Sequence, residues 1–202
     1  MIVPGSPRPP LLCLTVALVA VLLVAGCTSG GRSEDGQATT TSGAAPTRPL
    51  RVKLVATAKV PPGGPSAARA ARQAAPSLER FLDRYLSVAF VDAAGGRGGW
   101  DGLLRLFDKP VRASARKQLD ALSLGQAASA VTAVRPGRAT ARAVVLYGDR
   151  RPEAATVRLA FDGTADTAQG SGPVALRSVL QLLATGDGWR IAGFDSRTGP
   201  AG

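Results

Sequence analysis

The sequence predicts an α+β domain, with N-terminal helices packed on one face of a curved antiparallel sheet. Three observations carry this. The apolar spacing changes from a period near 3.6 to a period of two around Gly125. All nine aromatic residues lie between Phe81 and Phe194, which places one core there. Turn residues recur between the alternating segments of the second half, as an antiparallel meander requires.

Residues 50 to 60 form the first strand. Val52, Leu54, Ala56, Ala58 and Val60 alternate with Arg51, Lys53, Thr57 and Lys59, and Pro61-Pro62-Gly63-Gly64 stops the run. Ser66 caps a helix through the Ala-rich stretch to Pro76. Leu78, Phe81, Leu82, Tyr85, Leu86, Ala89 and Phe90 then give an amphipathic stripe, with Pro76 in its first turn or kinking a longer helix. Gly95-Gly96-Arg97-Gly98-Gly99 breaks it, and residues 100 to 107 read as a short helix. Asp108 is an N-cap, and Pro110 opens a third helix to Leu122 that buries Val111, Ala115, Leu119 and Leu122.

The sheet follows. Ala130 to Val134 is a strand and Arg135-Pro136-Gly137 a turn; Ala139 to Tyr147 is the next strand, and Gly148 to Pro152 turns the chain. Residues 156 to 162 alternate, 163 to 172 form a polar loop, and Val174 to Thr185 is a long strand. Gly186-Asp187-Gly188 makes a hairpin turn, and Trp189 to Phe194 closes the sheet.

The order of elements and the ending Gly188-Trp189-Arg190-Ile191 resemble the NTF2-like (SnoaL-like) cone fold over roughly residues 77 to 195. The strand at 50 to 60 is an addition to that pattern. Enzymes of that superfamily usually place an Asp or His base in the cone, so the resemblance implies no activity for a chain with no His.

Leu11 to Val24 is a fourteen-residue run, apolar apart from Thr15 and preceded by Arg8. It is short for a bilayer span, which takes about 20 residues, and suits the core of a secretory signal. Its end, Leu23-Val24-Ala25-Gly26-Cys27, resembles the lipobox of bacterial lipoproteins. The resemblance implies diacylglycerol on the Cys27 thiol, cleavage after Gly26, and a protein held at the extracytoplasmic face of the cell membrane. Acyl chains at Cys27, palmitate among them, provide that anchor. Residues 1 to 26 are then the signal peptide, 27 to 49 the lipidated Cys and a disordered tether, and 50 to 202 a single domain. The tether carries no apolar period; it spans roughly 75 Å at full extension and about 25 Å on average.

The lack of His excludes the Ser-His-Asp and Cys-His arrangements and the HExxH zinc site, and two Cys do not make a four-thiolate site. The sequence therefore implies no catalytic residue, no metal and no cofactor. Asp83 and Asp162 are the lone-carboxylate candidates, and both fall on polar faces. The Gly95–Gly99 run lacks the Lys-Ser/Thr ending of a phosphate loop and reads as a helix connection. Phe81, Tyr85, Trp100, Tyr147, Phe161 and Trp189 either fill the core or line a cavity; a cavity would take an apolar ligand, with Leu180, Leu182 and Ile191 in its wall.

Twenty-five Lys and Arg stand against 14 Asp and Glu, a net charge of +11 that falls to +10 once Arg8 leaves with the signal. Nucleic acid is not the expected partner of an exported protein; an envelope protein, anionic lipid or acidic wall polymer is. Arg69, Arg72, Arg80 and Arg84 share one face if the helix runs through Pro76, as a contact surface or an ordinary solvated face. The sequence thus points to an envelope lipoprotein that acts as a non-catalytic binding or assembly module. The alternatives are a carrier or sensor enclosing an apolar molecule and, behind that, an enzyme using one carboxylate.

Overall fold

The structure is a computed structural model that describes residues 49–96, 100–148 and 150–199, all within one compact unit, Ala44–Gly202. The signal, Cys27 and the tether before residue 49 lie outside the described residues, as does the Arg97–Gly99 part of the glycine run. Among the described residues no helix is long and apolar enough to cross a membrane.

The architecture is α+β, helices against one five-stranded sheet. Strand β1 (Lys53–Lys59) alternates as its sequence requires, but its inward residues are only half-buried because it is an edge strand. Helix α1 (Ala67–Leu86) starts at Ser66, whose hydroxyl accepts the Arg69 N–H at 3.4 Å. It runs unbroken through Pro76, which settles the two alternatives in favour of one longer helix. The exposed position of Pro76 lets the freed carbonyl one turn back face water. Leu78, Leu82, Tyr85 and Leu86 are fully buried; each Leu contributes about 1.5–3 kcal/mol by leaving water. A wider π turn, Ser87–Val91, carries Ala89 and Phe90 into the core, and the Ala89 carbonyl accepts the Leu124 N–H at 3.3 Å.

Helix α2 (Trp100–Leu104) is short, and Asp108 caps the next turn by accepting the Lys109 N–H at 2.9 Å. The single helix expected from Pro110 to Leu122 is instead a 3₁₀ turn (Lys109–Val111), helix α3 (Arg112–Lys117) and helix α4 (Leu119–Leu122). The break at Gln118 brings Leu122 beneath Tyr85, whose hydroxyl donates to the Leu122 carbonyl at 3.0 Å. Gly125 follows at φ +52°.

Strands β2 (Val131–Gly148), β3 (Arg151–Thr167), β4 (Gly170–Thr185) and β5 (Gly188–Gly199) form the antiparallel meander, in the order β1-β2-β3-β4-β5. Three expectations need correction. The sheet is mixed, because β1 joins β2 in parallel (Lys53 opposite Thr140): the helices return the chain to the end of the sheet from which β1 began. Arg135-Pro136-Gly137 is an irregularity inside β2 and not a turn; the register shift there accommodates a residue without an N–H. Residues 163 to 172 are not a loop. β3 continues to Thr167, and only Ala168 and Gln169 separate it from β4. Pairing to β2 and β4 on its two sides satisfies that stretch's backbone without an apolar face.

The core lies between the helices and the inward residues of the sheet: Ala141, Ala143 and Val145 on β2, Val157 and Phe161 on β3, Leu180 and Leu182 on β4, Ile191 on β5. Helix α1 touches both edge strands, β1 and β5, so the sheet curls around it. The small side chains of β2 permit that close approach. Leu106 and Asp108 extend the β5 edge through two 2.8 Å bonds with Ile191.

Candidate anion-binding groove

The passage of α1 through Pro76 puts Arg69, Arg72, Arg80 and Arg84 on one exposed face. They do not form one site. Arg69 and Arg72 stay on the first half of the helix, while Arg80 and Arg84 line a groove of about 530 Å³ with three arginines from elsewhere. Arg105 follows α2, Arg112 opens α3 and Arg190 sits on β5. The extension of the β5 edge by Leu106–Asp108 sets Arg105 beside Arg190.

The floor is Trp189 with Phe81 and Leu106. The Trp189 indole N–H donates to the Ser77 hydroxyl at 3.1 Å, and that hydroxyl donates to the Ala74 carbonyl at 2.9 Å. The ring is thus fixed beneath the groove. Two walls are anchored as well. Arg112 Nε donates to the Phe107 carbonyl at 3.0 Å, and an Arg190 guanidinium N–H donates to the Arg105 carbonyl. Each keeps further N–H donors for a ligand. Arg80, Arg84 and Arg105 have no ion-pair partner among the described residues. Asp187 is the one carboxylate in the described lining. Five permanently charged planar forks around an apolar floor suit an anion bound in bidentate fashion, a phosphate or a carboxylate.

The lone-carboxylate candidates lie elsewhere. Asp83 Oδ1 accepts the Val52 N–H at 2.7 Å, tying α1 to the start of β1. Asp162 pairs with Arg177 at 2.7 Å on the open face of the sheet. Among the described residues no His, Cys, Asp and Glu cluster could hold a metal ion.

The six aromatics divide. Tyr85 and Phe161 are fully buried, Phe161 against Phe90 with ring centroids 4.9 Å apart. The Tyr147 hydroxyl donates to the Ala70 carbonyl at 2.7 Å, joining β2 to the first turns of α1. Burial pushes the Tyr85 and Tyr147 phenols above their ordinary value. Phe81 and Trp189 reach both core and groove. Trp100, half-buried, borders a separate cleft of about 170 Å³ with Arg116 and Asp120.

Arg105, Arg112 and Arg190 were not legible as site residues. Each sits on a different element, and no spacing in the sequence links them. No protein-family model, curated protein or solved structure matches the chain.

Proposed function

We propose that this protein is a lipid-anchored, extracytoplasmic binding module of the bacterial envelope, and that its arginine groove holds the phosphate of an anionic envelope component. One observation carries the reading: Arg80, Arg84, Arg105, Arg112 and Arg190 converge from separate elements around a single apolar floor. Like charges gathered this way repel unless a ligand neutralises them. The lipobox at Cys27, the tether and the absence of His support an anchored, non-catalytic role. The helix-first order, the curling of the sheet around α1 and the placement of Trp189 support an NTF2-like cone that carries β1 as an additional edge strand.

Two measurements test it. Peptide mapping of the membrane-bound protein finds an acylated Cys27 at the processed N-terminus; an unmodified Cys27 sinks the anchor. In a Trp100→Phe background, where Trp189 is the one tryptophan, titration with glycerol phosphate, poly(glycerol phosphate) and phosphatidylglycerol micelles shifts the emission, and Arg84→Glu with Arg105→Glu weakens binding about tenfold or more. A shift with the micelles alone identifies the lipid headgroup as the source, and one with the polymer alone identifies the wall. No saturable shift with any probe, or full affinity in the double variant, overturns the groove's role.

A further inference from the structure

The second face of the sheet is uncovered and has an unusual make-up. The four exposed large aliphatic residues among the described residues, Val55, Val144, Leu146 and Leu183, all lie on it. On two adjacent cross-strand rows it also carries Lys53, Arg142, Arg158, Arg177 and Arg197. Arg177 is paired with Asp162; the other four cations have no ion-pair partner among the described residues. These rows line a groove of about 720 Å³ that crosses all five strands, with Val55, Ala160 and Val179 in its floor and Asp195 its one carboxylate.

We infer that this face docks an acidic amphipathic helix of a partner protein. The register divides the face into two bands. Val144, Leu146 and Leu183 lie toward the β2–β3 turn, with Lys59 opposite Leu146 at their β1 end, and the other five cations lie toward the far end of β2 with Val55 among them. An aliphatic band beside a cationic band fits a rod with apolar residues on one flank and carboxylates on the other. The groove spans about 19 Å from β1 to β5, which is the length of about 13 helical residues. A helix about 10 Å wide laid across the strands covers the neighbouring Arg142 and Val144 rows, about 7 Å apart, where the two bands meet, whereas an extended strand covers one row. A second copy of this chain would bring the same cations against themselves. A planar bilayer would meet the projecting arginines and miss the recessed floor. Residues 28 to 49 contain no apolar stripe with which to fill it.

The test uses the full-length protein in phosphatidylcholine nanodiscs. The probe is a fluorescein-labelled helical peptide with leucines on one flank and glutamates on the other, read by anisotropy; its control has lysine in place of glutamate. The acidic peptide binds at least roughly tenfold more tightly than the lysine peptide, and Arg142→Glu with Arg158→Glu removes that margin. Arg80→Glu with Arg84→Glu leaves it intact, which separates this face from the arginine groove. Should the first double variant lose its circular dichroism spectrum, Arg158→Gln serves instead and lowers affinity at least about threefold. Equal affinity for the two peptides, or unchanged affinity in a folded face variant, overturns the inference. Loss of peptide binding when phosphatidylglycerol is added to the nanodiscs also overturns it and assigns the face to the bilayer.

Discussion

The indole N–H of Trp189 donates to the hydroxyl of Ser77 across 3.1 Å of space and 112 residues of chain. The bond joins the middle of the first helix to the start of the last strand. It also fixes the floor of the arginine groove, so one contact serves both the fold and the candidate site.

Removing the acceptor leaves a buried donor without a partner. Ser77→Ala therefore costs about 1–3 kcal/mol. Trp189→Phe keeps much of the packing and leaves Ser77 free to turn to water, at a cost of about 1 kcal/mol from the lost bond plus a small void. Trp189→Ala opens the core and costs about 3–5 kcal/mol. Urea unfolding of the three variants checks the order Trp189→Ala worst, Ser77→Ala next, Trp189→Phe mildest.

The contrast between the two halves of the site shows what local sequence can encode. Arg80 and Arg84 follow from the helical period of α1, because the same stripe that buries Leu78 and Leu82 turns them outward. Arg105, Arg112 and Arg190 meet only because Ile191 exchanges backbone bonds with Leu106 and Asp108, a pairing with no trace in spacing or composition. The sheet divides in the same way. Alternation marks Ala139 to Tyr147 because one face is buried there. It fails at residues 163 to 167, half-exposed on both faces, where only backbone pairing holds the strand. Pro136 reads as a turn locally and is overruled by the strands beside it.

Gly125 is a position that no side chain fits. Its φ is +52°, and a Cβ there would lie 2.6 Å from the Asp120 Cα. The turn is held by Asp120 Oδ1, which accepts the Gln126 N–H at 2.8 Å, and by Ser123 Oγ, which accepts the Gly125 N–H at 3.1 Å. Gly125→Ala must displace Asp120 and adopt a left-handed backbone, and it destabilises by about 1–3 kcal/mol. Asp120→Ala gives up the bond without that clash and costs nearer 1 kcal/mol. Thermal unfolding separates the two, and equal midpoints would show that the turn relaxes freely.

Pro76 gives the opposite sign. It interrupts the hydrogen-bond ladder of a 20-residue helix at an exposed position, with no packing to offset the loss. Pro76→Ala restores an N–H to that ladder, and the gain exceeds what the more flexible unfolded chain takes back, for a net stabilisation of about 1 kcal/mol. A fall in stability would mean that Pro76 itself helps to seat Ser77 beneath Trp189. Trp189 emission, read with Trp100 replaced by Phe, distinguishes the two cases, since a displaced indole shifts it.

The pH dependence follows from the two tyrosines and the lack of His. No imidazole titrates between pH 5 and 8, so stability is nearly flat there. Burial raises the Tyr85 phenol well above 10.0 in the folded protein, and Tyr147 moves in the same direction. In the unfolded chain both phenols ionise near their ordinary value, so the unfolded state releases protons first. Each phenol's contribution is fully present below pH 10 and is lost as pH rises through its folded value. For Tyr85 the loss approaches about 1.4 kcal/mol per pH unit. Tyrosinate absorbance should therefore appear together with loss of the far-UV circular dichroism signal, in one cooperative step above pH 10. Tyr85→Phe gives up the bond to the Leu122 carbonyl, costing about 1 kcal/mol at neutral pH, yet shows a shallower decline in alkali. Tyrosinate absorbance from both residues near pH 10 in a still-folded protein would show that water reaches these phenols and that the seal between α1 and its neighbours is open.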